Sequence, residues 1–135
     1  VRLLLDINVL LDVLLDREPW SEAAATLLAV VESRAAEGFV APHTLPTIYY
    51  VVWQARDRKL ASAAVKDLLR ILEIAPVTKA DFQEALTLSV PDFEDAVQAT
   101  AALRIGADYL VTRNEKDFRG APVPIADPAT ILALL

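Results

Sequence analysis

Short aliphatic runs alternate along this chain with longer stretches whose apolar residues recur at helical spacing. Val1–Leu5 is a brief aliphatic run and predicts a buried strand. Asn8–Leu15 is apolar nearly all round and predicts a short, buried helix. Pro19 is expected to open a longer helix running to about Ala36, with Gly38 stopping it. Phe39–Ala41 predicts a strand, and Thr44–Gln54 a helix with Pro46 in its first turn, where a missing N–H does no harm. Between Lys59 and Leu72, apolar residues at 60, 64, 68, 69 and 72 keep a helical period. Glu73–Val77 predicts a strand. Thr78 then stands as an N-cap with Asp81 three residues on, for a helix to Leu88. A further helix opens near Asp92 and ends at Gly106, with strands expected at Asp108–Thr112 and Val123–Ala126. Asp127-Pro128 is a cap followed by proline at the first helical position, so Ala129–Leu135 closes the chain as a helix.

Strands separated by helices require parallel pairing through right-handed crossovers. The expected fold is a single α/β domain over residues 1–135, a three-layer α/β/α sandwich around a parallel sheet of about five strands. Sheets of this kind receive ligands at the carboxyl ends of their strands.

Composition narrows what such a site can do. The chain has 135 residues, enough for one core, and 55% of them are apolar, which suits a sheet covered on both faces. No apolar run approaches the ~18 residues of a membrane span, and no charged leader with a cleavage site is evident, so a cytoplasmic protein is expected. The absence of cysteine excludes disulfides, thiol catalysis and thiolate-bound zinc. A formal net charge of −6 argues against nucleic-acid binding through a broad basic surface. It leaves room for a nuclease in which a metal supplies the local positive charge.

Three acidic groups fall where the strands deliver them. Asp6 follows the first strand, and as a lone residue it reads equally well as a helix cap. Asp92-Phe93-Glu94-Asp95 opens a helix, where acids favour the dipole. Three acids in four residues exceed what capping needs, however; Asp92 and Asp95 share a face, and Glu94 is expected to be solvated. Thr112-Arg113-Asn114-Glu115-Lys116-Asp117-Phe118 follows a late strand. If strand one and the Asp108–Thr112 strand are neighbours, Asp6, Asp95 and Asp117 converge. Two carboxylates ~4 Å apart repel by roughly 4 kcal/mol at an effective dielectric of 20, so such a cluster calls for protonation or a cation. Oxygen donors with no cysteine and one histidine favour Mg²⁺ or Mn²⁺.

These segments resemble the motifs of the PIN-domain family, especially the VapC-like toxin ribonucleases of toxin–antitoxin pairs. Leu5-Asp6-Ile7-Asn8-Val9-Leu10-Leu11-Asp12 is similar to the first motif. Asp95–Ala101 is similar to the central acidic helix motif, and Thr112–Phe118 to the third. The resemblance implies that Asp6, Asp95 and Asp117 ligate the metal, that Asn8 and Thr112 orient those ligands, and that Asn114 lies at the metal or beside it. It also implies metal-dependent RNA cleavage, a homodimer and a protein antitoxin as partner. Two positions depart from the pattern. Ile7 replaces the usual Thr, and Thr47 stands where the family has a Glu, leaving Asp92 as the available substitute.

Other residues are read more plainly. Arg113, Lys116 and Arg119 flank the expected site and are candidate phosphate contacts, a solvated basic loop being the alternative. Arg56, Arg58 and Lys59 read as a solvated cluster. Tyr49, Tyr50 and Trp53 read as core or dimer interface, Trp20 as a packing residue, and the lone His43 as structural or surface. Two rival functions remain. One is a degenerate PIN domain that binds RNA or a protein without cutting, which metal-titrated cleavage would reveal. The other is an Asp-nucleophile phosphatase of the haloacid-dehalogenase type, which would want an Asp at position 8 instead of Asn8 and would form a covalent phospho-aspartate.

Overall fold

A computed structural model describes all 135 residues. Five parallel strands form one sheet in the order β3-β2-β1-β4-β5. They are β1 (Arg2–Leu5), β2 (Glu37–Val40), β3 (Glu73–Ile74), β4 (Tyr109–Val111) and β5 (Ile125–Ala126). The helices are α1 (Ile7–Leu14), α2 (Ser21–Glu32), α3 (Thr44–Ala55), α4 (Arg58–Ile71), α5 (Lys79–Ala85), α6 (Phe93–Arg104) and α7 (Pro128–Leu134), with a 3-10 turn at Glu115–Phe118.

Strand alternation sorts the core into two layers. Leu3, Leu5, Val40 and Val111 face one side and pack with residues of α1, α2, α3, α4 and α7. Leu4 and Leu110 face the other, against the alanines of α6, Phe118 and Val123. The expected three-layer sandwich is therefore the fold, and β1 at its centre is buried on both faces.

Boundaries differ where local chemistry was misread. Pro19 lies outside α2, which begins at Ser21. That helix stops at Glu32, well short of Gly38. Arg34, at φ 67°, supplies the left-handed residue, with Arg34 N donating to Val31 O and Ala35 N to Val30 O. Gly38 sits inside β2 for a different reason: a Cβ there would meet Val31 Cγ1 at 2.5 Å and Leu72 Cδ2 at 2.7 Å. Gly106, at φ 66°, does close α6 in the expected way, with Ala107 N donating to Ala102 O. The strand expected over Glu73–Val77 ends at Ile74, and the helix expected to reach Leu88 ends at Ala85. No helix is long and apolar enough to cross a membrane.

Candidate metal centre

The neighbouring strands β1 and β4 set the position of the site. The Asp6 backbone N–H donates to Val111 O at 2.9 Å, so Asp6 and Thr112 leave the sheet side by side. Asp6 is buried, and neutral donors hold both its carboxylate oxygens. Oδ1 accepts from Ile7 N and from Gln98 Nε2, each at 2.8 Å, and Oδ2 accepts from Thr112 Oγ1 at 2.8 Å. The Thr112 hydroxyl in turn accepts from Asn114 N at 3.0 Å, which ties the turn after β4 to the carboxylate. Asp6 thus serves as the α1 cap and also as a fixed, oriented acid.

Asp95 reaches the same place from α6. Its backbone N–H is capped by Asp92 Oδ1 at 3.0 Å, and its own carboxylate accepts no hydrogen bond. Burial first, then the charges of Asp6, Asp92, Asp117 and Glu94, push the Asp95 carboxyl up to about 7. Asp117, exposed in the 3-10 turn, is thus near enough for its charge to be felt at Asp95. Asp6, Asp92, Asp95 and Asp117 form no ion pairs, while Arg2, Arg17, Arg70, Arg104 and Arg113 pair with acids elsewhere.

The donor set fits a hard divalent cation in charge and in atom type. Asn8 adds a second sign, since its Oδ1 is buried and has no hydrogen-bond partner. The carboxylates do not stand as a closed cage: no three His, Asp or Glu side chains are arranged to hold an ion together. The structure therefore brings Asp6, Asp92, Glu94 and Asp117 within electrostatic reach of Asp95 without bringing any three acids into a coordination geometry.

One candidate contact needs correction. Arg113 does not extend toward solvent to meet phosphate. Its Nε donates to Asp12 Oδ2 at 2.7 Å, its Nη2 to Asp12 Oδ1 at 3.3 Å, and its guanidinium lies 3.9 Å from the centre of the Trp20 ring. Asp12 is buried, with Arg17 as a further partner, so the ion pair holds Arg113 for structural work. Lys116 and Arg119 remain exposed and without ion pairs.

Two residues near the acids carry more than their sequence context shows: Gln98, which the sequence does not single out, and His43, expected there to be structural or surface. Gln98 lies three positions after Asp95 in a buried, mostly alanine stretch of α6, and a long polar side chain in that apolar stretch is the available signal. His43 is half-buried, with Nε2 3.9 Å from Glu94 Oε1 and no hydrogen-bond partner. Burial holds its pKa below the ordinary value, partly opposed by Glu94 and Asp6, so it feels the acid cluster directly. Thr47 is exposed beside it, donating through Oγ1 to His43 O at 3.1 Å. Tyr50 and Trp53 are not core residues; both remain substantially exposed on α3.

Comparison with known proteins bears on the family and the fold. The chain is 25% identical over 129 residues to Ribonuclease VapC1 of Aquifex aeolicus, covering 92% of this chain and 88% of that protein. The structure of DNA-bound VapBC from Salmonella typhimurium superposes with a TM-score of 0.73 at 18% identity, covering 95% of this chain and 98% of that one. VapC20 of Mycobacterium tuberculosis, described as a sarcin-ricin loop cleaving toxin, gives a TM-score of 0.65 at 15% identity, covering 80% of this chain and 86% of that one. The family model described as PIN domain matches residues 2–116, and the chain belongs to the PIN-domain family.

Proposed function

We propose that this chain is a Mg²⁺- or Mn²⁺-dependent ribonuclease of the VapC kind. The observation that carries the reading is a set of acids from three distant segments, Asp6, Asp92 and Asp117, whose charges are all felt at Asp95, with no lysine or arginine paired to any of them. Acids arranged that way are costly to keep unless a cation is bound. The ribonuclease relative and the sarcin-ricin-cleaving neighbour support RNA as substrate.

Asp6, Asp95 and Asp117 would hold the ion, with Asn8 and Asn114 beside it. A bound divalent cation supplies an activated water and offsets charge on the phosphodiester. The chain does the rest. Thr112 and Gln98 hold Asp6 in one orientation, and Asn114 N holds Thr112 in turn. The exposed Lys116 and Arg119 attract the phosphate backbone. VapBC complexes among the similar structures support a protein antitoxin as partner. The exposed Tyr50 and Trp53 of α3, with Leu60 and Leu69 of α4, supply the apolar surface for a homodimer in the cytoplasm.

A small RNA panel, incubated with and without Mn²⁺, tests the assignment. Wild type should cut only with metal, and Asp6→Asn should not cut while keeping its circular dichroism spectrum. Equal cutting by both proteins would remove Asp6 from the reaction. Thr47 in the place of the family's Glu favours one second reading, a binder that no longer cuts, for which cleavage would be absent at every metal concentration. The phosphatase reading has less support because Asn8 stands where that class has its second Asp.

A further inference from the structure

Beside the acids lies a recess of about 240 Å³ lined by His43, Thr47, Phe82, Phe93, Glu94 and Val97. That volume is below the ~300–1,000 Å³ of pockets for drug-sized ligands, so it suits a flat, fragment-sized group. We propose that this recess is a nucleobase subsite that takes one unpaired guanine of the RNA strand, between the Phe82 and Phe93 rings and the polar edge formed by Glu94 and His43. The inference deepens the ribonuclease reading and rests on it.

Three observations point to a base. Phe82 on α5 and Phe93 on α6 are both more than 40% exposed, with ring centres 6.3 Å apart and planes inclined by 34°. Two aromatic rings left open to water at one recess are a ready stacking surface, and single-stranded RNA is read by stacking unpaired bases on such rings. The recess also adjoins the proposed reaction site along α6, because its lining residue Glu94 directly precedes Asp95. A base held there would leave its own phosphate close to the acids.

The polar edge selects among bases. Glu94 offers only acceptor oxygens, which repel phosphate and favour a group with hydrogen-bond donors. Guanine alone presents two adjacent donors, N1–H and the N2 amino group, to a single carboxylate. His43 Nε2 is buried and unpartnered, 3.9 Å from Glu94 Oε1, too far for a hydrogen bond between them. The main competing occupant, a second copy of this chain, would use the rings but has no need of the paired Glu94 and His43 edge.

Equilibrium binding of the full chain to non-cleavable 2′-O-methyl pentanucleotides tests the proposal, using an all-uridine strand and strands with a single G, A or C. Wild type should favour the G strand by about tenfold, and Glu94→Gln should erase that preference. Phe93→Ala should weaken every strand by roughly fivefold to a hundredfold, the range expected for one lost base–aromatic stack, and Phe93→Tyr should restore it. Phe82→Ala, away from the start of α6, reads the same loss if Phe93→Ala does not fold. Equal affinity of wild type for all four strands overturns the proposal. So does a switch from dimer to monomer in the Phe variants with the G preference intact, which would make the recess an interface between copies. Manganese-dependent cutting with no base preference would sink the subsite and spare the nuclease. A G preference in a chain that never cuts would spare the subsite and sink the nuclease.

Discussion

Asp81 and Asp95 hold the same station in two helices, the third residue after the N-cap, and they are used in opposite ways. Asp81 reaches back to accept from Thr78 N at 2.7 Å and from the Thr78 hydroxyl at 3.1 Å, and it pairs with Arg104. Its backbone hydrogen bond, ahead of the Arg104 interaction, holds its carboxyl below the usual range. Asp95 does not reach back to its N-cap, accepts no hydrogen bond and lies within the charge of further acids. A carboxylate at a helix start is therefore no guide to purpose. Its partners are, and only one of these two has been given any.

Exchanging the two for asparagine should split their roles. Asp95→Asn should lower metal-dependent RNA cleavage by more than about a hundredfold, since a direct ligand should matter at least as much as the 10–100-fold typical of a supporting residue. The same change should hold or raise the melting temperature of the metal-free chain. Asp81→Asn should cost about 1–2 kcal/mol in denaturant unfolding and leave cleavage within about twofold. If both variants behave alike, the contrast fails.

Asp12 extends the comparison to a fully partnered acid. Arg113→Ala should cost about 3 kcal/mol, at the lower end for breaking a buried pair because Arg17 stays 3.9 Å away. A loss of RNA affinity without a loss of stability would return Arg113 to the binding surface. Thr47→Glu should add a carboxylate beside His43 and strengthen Mn²⁺ binding by about tenfold, as read by calorimetry. Unchanged affinity would detach this position from the metal.

The smallest effect is on pH. The folded pKa of Asp95 lies above its unfolded value, so between about 4 and 7 the native chain holds a proton that the unfolded chain has lost. The stability of the metal-free protein should therefore fall as pH rises through that window. Asp81 works the other way, its stabilisation being complete above its unfolded pKa and lost as pH falls through the lower folded value. Melting curves at pH 5 and 8 read the Asp95 effect, and added Mn²⁺ should raise the midpoint more at pH 8. A larger metal effect at pH 5 would contradict the assignment.

The layers are legible because burial on both faces leaves an aliphatic run, and Asp6 and Thr112 mark where those runs stop; that those two strands are neighbours stays a condition until the pairing of β1 with β4 supplies it. Relations between distant segments are not legible. Arg113 and Asp12 are 101 positions apart, and nothing local in the basic turn reveals that its arginine is spoken for. Gly38 was misread as a helix stop because its actual cause, the closeness of Val31 and Leu72, exists only after packing. His43 looked inert for the same reason: its neighbours Glu94 and Asp6 come from elsewhere in the chain.

The order of strands has a consequence for how the protein is made. β1 is central, yet its partner β4 and the acid at position 117 come near the end of the chain. At a ribosomal pace of about 5–20 residues per second, Asp6 waits roughly 6–20 s before Asp117 has been polymerised. On the proposed ribonuclease reading, a nascent chain cannot cut RNA during that interval, and an inhibitor translated beforehand has that time in which to be ready.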